Sequence, residues 1–344
     1  MPITELKRSF LRRLRSVFRP LELNSERQLI LQCLVAAKMN RSSSRFRVLA
    51  DAEFCGFSQW GEDGIIDWLV ERLPAIPRTF VEFGVANYHE SNTRLLLFLR
   101  NWRGLVMDGS TEHISDIQKQ DIYWRYDLTA KCVFIDRDNI NELICAAGFK
   151  GDIGLLSVDM DGNDYWVWQA IDVVSPAIVI CEYNAVFGDR FQLSVPYQAD
   201  FQRTRAHHSN LYFGASLPAF VKLGEEKRYT FVGTTSTGCN AFFVRDDFAP
   251  LIVATLDSIS AFPSSLRESR DSQGVLTFAK GMERGKMIQN LPLVDLARNQ
   301  TTTLAECGGI YSPEWVKGLP LSRQKNPRSP IQKNGGRKIQ SDLS

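Results

Sequence analysis

A chain of 344 residues with 44% hydrophobic and 23% charged content has the balance of a globular protein and room for a sizeable core, which excludes a disordered or fibrous class. No apolar run approaches the ~20 residues of a membrane span, and the arginine-bearing N-terminus lacks an apolar stretch with a small-residue cleavage site, so a cytoplasmic protein is expected. The net charge of +2 is uneven: residues 1–20 carry six Lys/Arg against Glu5 and residues 312–344 carry seven against Glu314 and Asp342, which leaves about −8 on the body and argues against a nucleic-acid-binding core.

Seven cysteines, an odd number without C-x-x-C spacing, read as reduced and mostly buried thiols rather than zinc ligands or a disulfide framework. Leu6, Phe10, Leu14 and Val17 recur at helical spacing among Lys7, Arg8, Arg12, Arg13 and Arg15, a basic amphipathic helix. It packs one stripe on the domain or docks on anionic lipid at the inner face of a membrane or on a protein partner. With a further helical segment and the linker Arg41 to Arg45 it forms a region over residues 1–50. A catalytic body is expected over 51–311, and a basic disordered tail over 312–344.

Ser58 reads as the cap of a helix from about Gln59 to Leu73, stopped by Pro74 and Pro77. Thr79–Phe83 follows as a short apolar strand. Then come a helix over Thr93–Leu99, a strand over Gly104–Met107, a helix from Glu112, a strand over Cys132–Ile135 and a helix over Asn139–Ala147. The pattern continues with a strand over Gly154–Val158, a helix over Tyr165–Ile171 and a strand over Ala177–Cys181. Such alternation implies an α/β fold with a parallel sheet and helices on both faces. Arg228–Val232 and Asn240–Val244 flank a Gly/Thr/Ser-rich turn and read as an antiparallel hairpin at one edge.

In open parallel sheets ligands bind beyond the carboxyl ends of the strands, where the strand order reverses. The first strand runs into Glu82-Phe-Gly-Val-Ala-Asn-Tyr-His-Glu-Ser-Asn-Thr93, where Gly84 lets a ligand approach the backbone and Asn87 tolerates an unusual φ. With one glycine the loop lacks the G-x-G-x-x-G fingerprint of a pyrophosphate cradle. The second strand ends on Asp108, 26 residues beyond Glu82, where a carboxylate accepts both hydroxyls of a ribose or caps the next helix.

Phe80-Val-Glu-Phe-Gly-Val-Ala-Asn87, Gly104-Leu-Val-Met-Asp108, Leu155-Leu-Ser-Val-Asp-Met-Asp-Gly162, Ile178-Val-Ile-Cys-Glu182 and Asn240-Ala-Phe-Phe-Val-Arg245 resemble, in order, the strand-end motifs of FkbM-type methyltransferases. The resemblance covers about residues 55 to 250. It implies a Rossmann-like methyltransferase fold, with a mostly parallel seven-stranded sheet and an antiparallel last strand. It also implies S-adenosylmethionine as donor and a hydroxyl, on a sugar, glycan or other small molecule, as acceptor. By position, Glu82 would sit near the methionine amino group, Gly84 under the cofactor and Asp108 on the ribose. The first loop departs from the family in having Val-Ala-Asn-Tyr-His where many members have a second glycine.

Ser157-Val-Asp-Met-Asp-Gly-Asn-Asp164 crowds three carboxylates at the end of a buried strand, and their repulsion calls for a cation or a hydrogen-bonding ligand. Asp159, Glu182 and Asn184, with Asp161 as an alternative, form a hard-oxygen set suited to Mg²⁺, which would acidify an acceptor hydroxyl. Asp164 reads as a helix cap. Asp159, His207 and His208 are the candidate catalytic groups, the histidines taking the acceptor's proton unless they are an exposed pair on a loop. Two other functions fit parts of the pattern. Asp159-Met-Asp161 also resembles the D-x-D signature of metal-dependent glycosyltransferases, and the glycine-poor loop fits a methyltransferase fold kept as a non-catalytic binding module.

Overall fold

The structure, a computed structural model, describes residues 24–43 and 45–324. The amphipathic segment expected at residues 6–17 lies outside the described residues. A first helix, α1, spans residues 24–42. Its Leu29, Ile30 and Cys33 pack with Phe57 and Leu95, and its opposite side exposes Leu31, Leu34, Val35 and Met39. No helix among the described residues is long and apolar enough to cross a membrane.

The body alternates α2 (Glu62–Arg72), β1 (Thr79–Phe83), α3 (Arg94–Arg100), β2 (Arg103–Asp108), α4 (Thr111–Lys119), α5 (Asp121–Arg125), β3 (Leu128–Cys132), α6 (Ile140–Ala146), β4 (Gly151–Val158), α7 (Asp164–Ala170) and β5 (Val174–Glu182). Short strand β6 (Leu193–Ser194), α8 (Arg203–Ala206), α9 (Leu217–Glu226), β7 (Tyr229–Thr234) and β8 (Asn240–Arg245) follow. The sheet has seven strands in the order β3-β2-β1-β4-β5-β8-β7. β1 to β5 run parallel, and β8 runs antiparallel to both of its neighbours. This is the Rossmann-like methyltransferase arrangement expected from the sequence, with the hairpin β7–β8 at one edge.

The parallel strands are apolar on both sides because helices cover both faces. Phe80, Val106, Leu155, Ile178 and Val244 share one core with Ile65, Trp68 and Leu69 of α2. Val81, Leu105, Leu156, Val179 and Phe243 share the other with Val167 and Trp168 of α7 and Phe220 of α9. Trp68 and Trp168 are fully buried, so truncating either to alanine should cost ~3–5 kcal/mol.

Four sequence expectations need correction. Helix α2 starts at Glu62, not Gln59, because the Asp63 carboxylate gathers the N–H groups of Gly56, Phe57 and Ser58 at 2.8, 2.6 and 2.7 Å and holds the preceding residues in a turn. The third strand is Leu128–Cys132, not Cys132–Ile135: Leu128 and Ala130 alternate inward, while Phe134 in the apolar run beyond is 47% exposed. The cysteines are all free, but Cys55, Cys132 and Cys145 are exposed. Residues 313–324, expected in a disordered tail, are ordered, with Pro313–Val316 helical and β12 (Leu321–Gln324) paired to β9 (Ser258–Ala261), where the backbone groups of an edge strand find partners.

After β5 the chain builds a smaller sheet from β6, β10 (Leu293–Asp295) and β11 (Gln300–Thr302). It has its own apolar cluster, which includes Val186, Phe187, Leu193, Val195, Leu211, Ile288 and Ile310. Because Val186 and Phe187 directly follow β5, this unit is anchored at the carboxyl end of the main sheet.

Candidate functional site

The strand order reverses between β1 and β4, and the residues that end these strands meet there. Gly84 has φ +69°, and a Cβ on it would fall 1.7 Å from the Asp159 carbonyl oxygen. The glycine is thus demanded by the approach of another strand end. Glu82 is buried and both of its oxygens are engaged: Oε1 accepts the Asn92 N–H at 2.9 Å, and Oε2 accepts the Ser91 hydroxyl at 2.6 Å and the Thr93 hydroxyl at 2.5 Å. Burial pushes the carboxyl up, against the pull of these bonds. Glu82 therefore fastens the far end of its own loop.

The left-handed conformation expected at Asn87 falls instead on its neighbours, Ala86 at φ +45° and Tyr88 at φ +63°. Asn87 closes a local turn by accepting the His89 N–H at 3.2 Å. Tyr88 is held by its phenol against Thr93 Oγ1 at 2.8 Å and by its carbonyl, which accepts from Arg94 at 2.7 Å. Arg94 pairs in turn with Glu26 of α1 at 3.0 Å, so that helix braces the loop. Asp108 links the first two strand ends: Oδ2 accepts the Ala86 N–H at 2.9 Å, and Oδ1 accepts the Ser110 N–H at 2.8 Å and lies 3.1 Å from His113 Nδ1. The cap of α4 is Ser110, not Asp108.

Beyond β4 and β5, Asp159, Asp161 and Glu182 bring carboxylate oxygens within 4.8 Å of one another. Asp159 and Glu182 are half-buried and Asp161 is exposed. Burial first, and then the neighbouring carboxylates, push Asp159 and Glu182 well above the usual range. Asp161, at φ +56°, pairs with Arg203 of α8. Arg203 also donates to the Asn210 carbonyl at 2.7 Å and stacks over Phe213 at 3.9 Å. Asp164 binds the turn back to itself, accepting the Met160 and Gly162 N–H groups at 2.7 and 2.8 Å, and burial pushes it up to about 6.

Asn184, expected as a ligand beside these carboxylates, has its amide spent elsewhere. Nδ2 donates to the Leu211 and Phe213 carbonyls at 2.8 and 2.9 Å, and Oδ1 accepts the Val186 N–H at 3.0 Å. It ties the end of β5 to the segment before α9, and Asp161 takes its place in the carboxylate group. His207 and His208 follow α8 directly, their rings 4.0 Å apart. His207 Nδ1 lies 2.7 Å from Ser209 Oγ, and burial, then His208, pull its pKa down. The pair rides on the segment that Arg203 pins to Asp161. Residues 198–203 cover the acidic turn, since Asn163 Nδ2 donates to the Gln198 carbonyl at 2.8 Å and a Cβ on Gly162 would meet the Phe201 ring at 2.3 Å.

Arg203 carries no signal in the sequence, where it is one of two arginines in the polar stretch from Gln198 to Arg205. Glu62 and Asn240 are a second omission: Asn240 Nδ2 donates to Glu62 Oε1 at 2.7 Å, and Asn240 pairs in register with Glu182 across β5 and β8. The buried Glu62 thereby joins the acidic carboxyl edge.

No family model matches the chain. No curated protein matches it either. Among solved structures it is similar to the N-terminal domain of EvdMO1 in the presence of SAH and D-fucose, with TM-score 0.37 and 10% identity over 52% of this chain and 80% of that one. It is also similar to an S-adenosylmethionine-dependent methyltransferase from Clostridium acetobutylicum, with TM-score 0.36 and 10% identity over 54% of this chain and 90% of that one. An O-methyltransferase from Bacillus cereus in complex with SAH gives TM-score 0.37 and 11% identity over 63% of this chain and 91% of that one. Likenesses of this size carry no weight, and the fold rests on strand order and orientation.

Proposed function

We propose that the chain is an S-adenosylmethionine-dependent methyltransferase that methylates a hydroxyl of a sugar, glycan or other small molecule. One observation carries this reading: the switch point of the sheet is ringed by carboxylates, with Glu82, Asp108, Asp159, Asp161 and Glu182 on neighbouring strand ends and Arg203 as the cation paired among them. Such an edge repels the diphosphate of a dinucleotide or nucleotide sugar and attracts a phosphate-free nucleoside that carries a sulfonium and an ammonium. Asp108 would take the ribose hydroxyls, giving up its bond to the Ala86 N–H, and Gly84 and Asn87 would shape the floor beneath the cofactor. Glu82 would act through the loop it fastens.

Transfer is an in-line displacement. The acceptor oxygen forms a bond to the methyl carbon as the carbon–sulfur bond breaks, and the acceptor's proton passes to a base. Asp159 suits that task because burial and like charges raise its proton affinity. His207 and His208, on the pinned segment, would pass the proton on to solvent. A Mg²⁺ ion held by Asp159, Asp161 and Glu182 would serve the same end by acidifying the hydroxyl.

Calorimetry tests the reading. S-adenosylhomocysteine should bind with micromolar affinity and UDP-sugars should not. Asp108→Ala should weaken S-adenosylhomocysteine about tenfold or more, and Asp159→Asn should leave it nearly unchanged while abolishing transfer. No heat from S-adenosylhomocysteine at millimolar concentration, with binding of a UDP-sugar in Mn²⁺, would instead establish the glycosyltransferase reading. Loss of activity in EDTA and its return with Mg²⁺ would assign the metal.

A further inference from the structure

Helix α1 is apolar on two opposite sides. Leu29, Ile30 and Cys33 face Phe57 and Leu95 of the domain, yet Leu31, Val35 and Met39 point the other way and are 62%, 61% and 67% exposed. Their four-residue spacing places these three in one stripe, with the exposed Leu34 beside it. Arg27, Lys38 and Arg41 follow the edge next to Leu34, and Gln28 and Gln32 follow the other edge. A contiguous apolar strip with a polar rim marks an interaction surface.

The charge around the strip selects what covers it. α1 contains one carboxylate, Glu26, which is turned inward onto Arg94 at 3.0 Å. Asp67 and Glu71 of the neighbouring α2 are engaged by Arg41 and Arg100. The rim thus presents Arg27 and Lys38 as cations. Residues 1–20, which lead into the helix, add six Lys/Arg against Glu5, with Leu6, Phe10, Leu14 and Val17 at helical spacing among them. Folding that segment back on the strip would set like charges beside one another, and so would a second copy of α1. An anionic bilayer meets both demands at once. Its acyl boundary takes up the leucine, valine and methionine side chains, its headgroups pair with the cations, and it needs no matching shape.

We propose that α1 is a membrane-docking helix that lies along an anionic lipid surface, with Leu31, Leu34, Val35 and Met39 in the interface and Arg27 and Lys38 on the headgroups. The inward side of the helix stays on the domain. Docking therefore places the loop from Glu82 to Thr93, which α1 braces through Arg94 and the Tyr88 carbonyl, on the bilayer side of the molecule. The proposal is independent of the methyl-transfer reading and needs no activity to be tested.

The test is flotation of the full chain with vesicles of phosphatidylcholine alone and of phosphatidylcholine mixed with phosphatidylglycerol, at about 0.1 M salt. The chain should partition onto the anionic mixture more strongly by about tenfold or more. The triple substitution Leu31→Ser, Val35→Ser, Met39→Ser leaves residues 1–23 intact and should lower that partitioning about tenfold or more. Arg27→Gln combined with Lys38→Gln keeps the apolar strip, guards against a triple variant that fails to fold, and should lower it by about tenfold as well. Wild-type partitioning by either variant would assign lipid binding to residues 1–23 and overturn the proposal. Equal binding to both kinds of vesicle, or to neither, would overturn it too. A dimer found by sedimentation without lipid and lost in the triple variant would put a second copy on the strip in place of the bilayer.

Discussion

Arg203 reaches from the short helix α8 to the carboxylate of Asp161 and is the cation that offsets the charge gathered beyond β4 and β5. Arg203→Ala should therefore move the pH midpoint of any activity that depends on Asp159 upward, since a nearby opposite charge favours the ionised carboxyl. Arg203→Lys should restore most of the shift. A pH–rate profile of the three proteins checks it, and an unmoved midpoint would mean that Arg203 only tethers the segment.

Gly84→Ala should be severely destabilising. The added methyl meets the Asp159 carbonyl at 1.7 Å, and φ +69° disfavours any side chain. The left-handed conformation alone costs ~1–2 kcal/mol, and the clash adds overpacking of ~1–3 kcal/mol. Urea denaturation should show a loss of at least that sum, or no folded protein.

Asn184→Ala should behave as a structural variant. Its three buried hydrogen bonds leave two carbonyls and one N–H unpaired on truncation, which predicts a loss of ~2–4 kcal/mol. Cation affinity, measured by calorimetry with Mg²⁺ on folded protein, should be unchanged, whereas Asp161→Ala should lower it.

Asp164 supplies a test of sign in pH dependence. Its folded pKa, about 6, lies above its unfolded value near 3.8, so the stability it contributes is fully present below pH ~4 and is lost as pH rises through 6. Asp164→Asn removes that titration. The stability of the wild type minus that of the variant should be larger at pH 4 than at pH 7.5, by no more than about 3 kcal/mol. Thermal melting across this range decides it, and a difference that grows with pH would contradict the raised pKa.

Much of the frame is legible in residue pattern. Thr79–Phe83 reads as a strand and is one, and the hairpin around residues 229–245 is announced by two apolar runs and a Gly/Thr/Ser turn. Edges are harder: β3 pairs on one side only, so the more apolar Cys132–Ile135 outbids the true strand in the sequence. In the site, carboxylates at strand ends are visible because strands point them there. Their use is not, since Glu82 and Asn184 find partners 9 to 29 residues away, on loops whose paths only tertiary packing sets. Arg203 comes from a segment without periodicity and escapes notice for the same reason.

The contact between Gly84 and the Asp159 carbonyl has a bearing on attempts to redesign this protein. Two loops that appear separable, one after β1 and one after β4, move as a single piece, because neither can shift toward the other by the width of a methyl group. Exchanging the first loop for a glycine-rich one from another protein would succeed only if the acidic turn were transplanted with it.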